Sequence, residues 1–218
     1  RLGFEPDGLR VQDSGQATPT AAPEASVSSR TALRSQMFWW LAAAFTLDSI
    51  ANLGVIPHLV PLLTERGFQP ATVAAVAGSI GLIQVLGRLA FAPATRRVPI
   101  GVLAIWTYVL RALALLVLLF VKGTPGLMLF ALFFGIANGA STLARAGLVA
   151  QTFGPAHFGA INGSISTIVA LMTTVAPLLV GFLRVRTGAY DTAIWLLTAL
   201  ACLATMAAMR ARRLPELK

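Results

Sequence analysis

The chain has 218 residues, of which 56% are apolar and only 11% charged. Soluble domains carry about 25% charged residues, so this composition excludes an ordinary water-facing fold and describes an integral membrane protein. The net charge of +9 does not point to nucleic acid either, because no basic stripe with interleaved aromatics accompanies it.

Residues 1–35 are polar and rich in Pro, Ala, Ser, Thr and Gly. Such a composition cannot bury a core, so a cytoplasmic linker or tail is expected. No signal-peptide core occurs in it. A first residue of Arg rather than Met is expected of a truncated or processed product.

Six apolar runs follow, at about 37–64, 71–95, 99–121, 125–150, 157–184 and 191–209, with a basic C-terminus at 213–218. Each is near or above the ~20 residues that cross a hydrocarbon core. In lipid the backbone must satisfy its own hydrogen bonds, so the runs are predicted to be helices and the fold all-α. An even number of spans places both termini on one side. Twelve of the seventeen Lys and Arg residues fall on that side and four on the other, with Arg111 mid-span. Positive charge is retained in the cytoplasm, so both termini are predicted to be cytoplasmic, in the cell membrane. The spans divide three and three, and an odd repeat makes the second triplet inverted, a pattern of secondary transporters.

Polar residues inside the spans are the candidate functional groups. Asp48 lies eleven residues into the first span, about 16 Å deep at 1.5 Å per residue. Asn52 shares its face one turn on. The pair reads either as a helix-packing hydrogen bond or as a protonatable, substrate-facing group. In the stretch 78–99, Arg88 interrupts an apolar pattern, with Gln84 one turn earlier and Arg96–Arg97 at the helix exit. Arg88 either snorkels to the interface or binds an anion, since guanidinium matches a carboxylate with two parallel hydrogen bonds.

Arg145 reads first as an interfacial anchor, although Asn138, Ser141 and Arg145 share a face that could line a cavity. Pro57 and Pro61 predict a kink in the first span, consistent with a gate. His58 beside them is a packing residue or a proton relay. Asn162 and Ser166 suit interhelical hydrogen bonding, and Gly135/Gly139 and Gly159/Gly163 suit close helix contact. Cys202, the single cysteine, allows no disulfide and reads as a small apolar helix residue. One intramembrane acid against three arginines favours an anionic substrate.

Three stretches carry a family resemblance: LGFEPDG at 2–8, HLVPLL at 58–63 with the following 71–88, and 134–163 together with RTGAYD at 186–191. The chain resembles the C-terminal six-helix half of a major facilitator superfamily transporter, and within it the prokaryotic relatives of the monocarboxylate transporters. The resemblance implies half of a twelve-helix fold, a substrate site between two bundles, and a missing N-terminal half supplied in cis or in trans. It makes the third span, with Arg111, peripheral, so a structural partnership is expected there. It makes Arg88 the expected anion ligand. Two positions depart from the pattern: Gln84 stands where an Asp would carry a proton, and no acid precedes Arg96–Arg97 in PATRR at 93–97.

The function expected is secondary transport of a small solute, in particular an organic anion, by alternating access. The alternatives are a truncated or non-transporting remnant or scaffold and, further off, a membrane-embedded enzyme. No HExxH, nucleophile elbow or P-loop occurs, so no catalysis and no cofactor or metal is expected. The partners expected are the substrate, the bilayer and the other half.

Overall fold

The computed structural model describes residues 28–214. The LGFEPDG stretch, the rest of 1–27 and the end of the basic C-terminus lie outside them. Regular structure among the described residues is entirely helical: α1 (Ser29–Arg34), α2 (Gln36–Val55), α3 (Leu59–Glu65), α4 (Pro70–Thr95), α5 (Ile100–Phe120), α6 (Thr124–Phe153), α7 (Phe158–Thr173), α8 (Ala176–Thr187) and α9 (Asp191–Arg212). Six stretches are long and apolar enough to cross a membrane: Gln36–Glu65, Pro70–Thr95, Ile100–Phe120, Thr124–Phe153, Phe158–Thr187 and Asp191–Arg212. The chain is a multi-pass membrane protein.

Local chemistry explains the element ends. Part of the expected tail is helical, because Ser28 caps α1 by accepting from the Thr31 N–H at 3.3 Å and Ala32 is buried against α2 and α7. Ser35 does the same for α2, accepting from Phe38 N–H at 3.2 Å; a serine oxygen satisfies one of the orphan donors of the first turn. Pro70 and Pro125 sit in the first turns of α4 and α6, where a missing N–H costs nothing. Gly188 closes α8 at φ 77°, a left-handed conformation that a side chain would strain.

Two spans are broken. The first narrows to a 3-10 turn at Ile56–His58 around Pro57, between α2 and α3, since proline removes an N–H and its ring crowds the preceding turn. The fifth breaks at Thr174–Val175, just before Pro177, between α7 and α8.

Packing runs in a ring: α4 against α6, α6 against α5, α5 against α9, α9 against α2, and α2 against both α7 and α8, with α7 also touching α6. Close approach of α4 and α6 rests on glycine. A Cβ at Gly87 would lie 2.9 Å from the Ile136 carbonyl oxygen, and one at Gly139 would meet the Gln84 carbonyl and the Arg88 amide. The Gly135/Gly139 pair is therefore at a close crossing. Gly159 and Gly163 are not: a Cβ at either would meet nothing within 4 Å, because that side of α7 faces away from its neighbours.

The apolar core has two large halves and a small third cluster of Phe91, Ala104, Ala140 and Ala144. One collects Leu59, Leu62 and Leu63 with Leu115, Leu118, Phe130, Phe134 and Leu197. The other collects Phe38, Leu41 and Phe45 with Tyr108, Val149, Phe153, Ile161 and Ile165. On α2 the changeover falls between Phe45 and Ala51, on α5 between Tyr108 and Ala112, and on α6 after Phe134. Asp48, Asn52, Arg111 and Asn138 lie in that gap. The least buried spans are α4 and α7–α8, which turn Leu82, Leu86 and Leu89, and Leu171, Leu178 and Val185, outward.

At the end remote from the described termini, Arg184 pairs with Glu65 at 2.9 Å and Arg66 with Asp191 at 2.8 Å. Arg66 also donates to the Leu118 carbonyl, and His58 Nε2 meets the Pro177 carbonyl at 3.0 Å. Burial, with the charge of Glu65 adding to it, raises the Tyr190 hydroxyl above its usual range. The Arg184 guanidinium lies over Tyr190, 5.5 Å from its ring centre. Exposed ion pairs contribute little because water screens them. Glu65→Gln is expected to leave the melting midpoint in detergent unchanged at moderate salt, as scanning fluorimetry would record; a drop of several degrees would contradict this.

Candidate functional site

The gap between the two apolar halves is filled by one ion pair and its amide partners. Arg111, near the middle of α5, is 1% exposed. Its Nε donates to Asp48 Oδ1 at 2.5 Å and its Nη2 to Asp48 Oδ2 at 3.4 Å. Its Nη1 donates to Asn52 Oδ1 at 2.9 Å and to Asn138 Oδ1 at 3.2 Å. The guanidinium also lies over the Phe134 ring, 5.2 Å from its centre.

Sequence spacing explains the geometry. Asp48 and Asn52 are one turn apart and present two acceptors to one guanidinium. Asn138 on α6 supplies the third. A charge inside a bilayer is tolerated when it is paired and its donors are used, and Arg111 meets both conditions. The pair is a charge-assisted fork that ties α2 to α5 and, through Asn138, to α6.

Next to this layer is a cavity of about 190 Å³, lined by Phe45, Asp48, Ser49, Asn52, Tyr108, Arg111, Ser141, Thr142 and Arg145. It extends from the ion pair toward the side of the described termini, because Phe45, Tyr108 and Arg145 all lie on that side of the polar layer along their helices. Arg145 Nη2 donates to Ser166 Oγ on α7 at 2.8 Å, and its guanidinium stands 5.6 Å from the centre of the Phe45 ring. Ser166 in turn donates to the Asn162 carbonyl at 2.7 Å, so the Asn162–Ser166 turn carries the link from α7 to α6.

Of the residues singled out from sequence, Asp48, Asn52, Ser141 and Arg145 line the cavity, and Asn138 braces Arg111 behind it. In place of the interfacial anchoring that its depth suggests, the Arg145 guanidinium turns inward to Ser166 and the aromatic face of Phe45. Gln84 and Arg88 are not brought to this cavity. Gln84 is half-buried at the α4–α6 crossing, and Arg88 is exposed. Pro57 sits at the break between α2 and α3 and Pro61 within the first turn of α3, on the far side of the ion pair from the cavity.

Four lining residues, Phe45, Ser49, Tyr108 and Thr142, are not among the candidates read from sequence, although Phe45 and Tyr108 carried a signal. The signal for both was present as helical spacing: Phe45 is three residues before Asp48, and Tyr108 three before Arg111. No protein-family model matches the chain, and no curated protein matches it.

Proposed function

We propose that this chain is one six-helix half of a secondary transporter, of the major facilitator type, that moves a small polar solute by alternating access. The observation that carries the reading is the polar cavity at mid-height of a membrane bundle, set between two apolar cores. A structural bundle has no need of an Arg, an Asp and several hydroxyls around an open volume inside lipid, where each costs free energy unless it is used.

Two further features support it. Exchanging the first three spans for the last three maps the packing pairs onto one another: α2 on α9 becomes α6 on α5, and α4 on α6 becomes α7–α8 on α2. That correspondence is what an inverted repeat produces. The two least buried spans, α4 and α7–α8, exchange under the same operation, as surfaces that meet a second half would. The charge bias of the loops supports cytoplasmic termini.

The test is side-specific accessibility in sealed vesicles. Single cysteines at Ser49 and Ser141, placed in a Cys202→Ser background, are expected to react with a membrane-impermeant thiol reagent from one side only in a given state. Reaction of Ser49→Cys and Ser141→Cys from neither side, in protein that reacts fully once denatured, would remove alternating access. A coding sequence for a further six spans, in frame or in a chain that co-purifies, is expected as the source of the other half.

A further inference from the structure

We infer that the bundle holds an anionic phospholipid in the leaflet remote from the described termini. Its phosphodiester lies between Lys122 and Arg66, and its upper acyl chains lie on Phe120 and Trp195. Such a lipid is bound whether or not the bundle transports.

A groove of about 360 Å³ opens where α5 ends. Arg66 and Phe68 line it from the turn between α3 and α4, Phe120 and Lys122 from the end of α5, and Asp191 from the start of α9. The 21 residues of α5 rise about 31 Å at 1.5 Å each, the thickness of a hydrocarbon core. Lys122, two residues past that helix, therefore stands at the depth of lipid phosphates.

Charge selects the occupant. Three acids occur among the described residues, and each is engaged: Asp48 by Arg111, Glu65 by Arg184 and Asp191 by Arg66. Lys122 pairs with none of them. Arg66 is held in place by Asp191 and by the Leu118 carbonyl, so one wall of the groove is a fixed guanidinium. Two cations and one acid leave a single positive charge, which matches one phosphodiester. A headgroup that also carries an ammonium would leave that charge unanswered. Basic pockets between membrane helices bind lipid headgroups by this chemistry.

The apolar surface below the groove separates a lipid from a free phosphate. Trp106, Leu113 and Phe120 recur every seven residues on α5 and all face outward, as do Trp195 and Met206 on α9. The two helices pack together, and Phe120 meets Trp195 edge to face with ring centres 6.0 Å apart. Aromatic rings at this depth favour the boundary between headgroup and acyl chain. In the ring of helices this face lies across from α4 and α7–α8. An acyl chain has a continuous apolar track from the groove, for which an inorganic ion has no use.

The experiment uses the full chain with Trp39, Trp40 and Trp106 changed to Phe, so that Trp195 alone fluoresces. It is reconstituted in phosphatidylcholine vesicles, part of whose lipid is replaced by phosphatidylglycerol, phosphatidylethanolamine or phosphatidylcholine with brominated chains, which quench tryptophan on contact. Brominated phosphatidylglycerol is expected to quench Trp195 at the lowest mole fraction. Lys122→Gln is expected to cut that preference roughly fivefold, the scale of one basic residue at headgroup level. Asp191→Asn leaves Arg66 unopposed and is expected to strengthen it. Inorganic phosphate, added at constant ionic strength, is expected to leave the quenching unchanged. A second protein that keeps Trp106 as its single tryptophan, further along the same face, is expected to show no response to Lys122→Gln.

The assignment fails if the three lipids quench Trp195 alike, if phosphatidylethanolamine matches phosphatidylglycerol, or if Lys122→Gln keeps the preference. An equal loss at Trp106 would reduce the effect to the overall charge of the protein and overturn the site. Relief of quenching by inorganic phosphate would make the ligand a free ion and overturn the lipid.

Discussion

Asp48→Ala is expected to destabilise the bundle by about 3–5 kcal/mol, the cost of leaving a buried charge without its partner. The Arg111 guanidinium is 1% exposed and its position is fixed from α2, α6 and the Phe134 ring at once, so it cannot swing to water. Arg111→Met alone is expected to cost a similar amount, because the Asp48 carboxylate is then stranded 5% exposed between two apolar halves. The double change Asp48→Ala with Arg111→Met removes both charges and is expected to recover most of the loss. Unfolding midpoints in detergent, arranged as a double-mutant cycle, measure the coupling. A double variant no better than either single one would mean that Asn52, Asn138 and Phe134 hold Arg111 without help from the acid.

Gly139→Leu is the second large effect. A Cβ there would sit 2.9 Å from the Arg88 amide nitrogen and closer still to the Gln84 carbonyl. Both are backbone, so neither can rotate away, and α4 must move off α6. Overpacking usually costs about 1–3 kcal/mol, and the upper end is expected where the obstacle is a main chain. The control is Gly163→Leu, on a face of α7 where a Cβ meets nothing, and little change is expected. Melting midpoints and the rate of proteolysis at the 96–99 turn, compared between the two variants, check the prediction. Equal behaviour would mean that the α4–α6 crossing has room to relax.

The two variants also mark where the sequence is readable and where it is not. The run around Gly139 declares itself through small residues at helical spacing, and the close crossing with α4 follows. The equally spaced Gly159 and Gly163 declare the same thing and meet no partner, since spacing says which residues share a face and not what that face meets. Asp48 was legible as an intramembrane acid near mid-depth. Its partner was not, because Arg111 is 63 positions away on a different helix.

Arg145 shows the same limit from the other side. Its depth near the end of the fourth span suited a snorkelling anchor, and the structure turns it inward to Ser166 and Phe45 instead. Arg88, set in an equally apolar run, is exposed. Nothing local separates the two arginines. What separates them is the rotation of α4 and α6 about their axes, which is fixed by Gly87, Gly135 and Gly139 at their crossing.

Residence in a membrane, the number of spans, their ends to within a few residues and the break at Pro57 are all written in the amino-acid order. These follow from constraints that act along the chain: the thickness of the hydrocarbon layer, the need of each backbone to bond within its own helix, and the missing N–H of proline. Which polar residues meet is settled by packing between helices. Apolar faces of membrane helices resemble one another, so the sequence leaves each helix's rotation open. Side-chain packing and the pairing of one buried arginine with one buried aspartate close it.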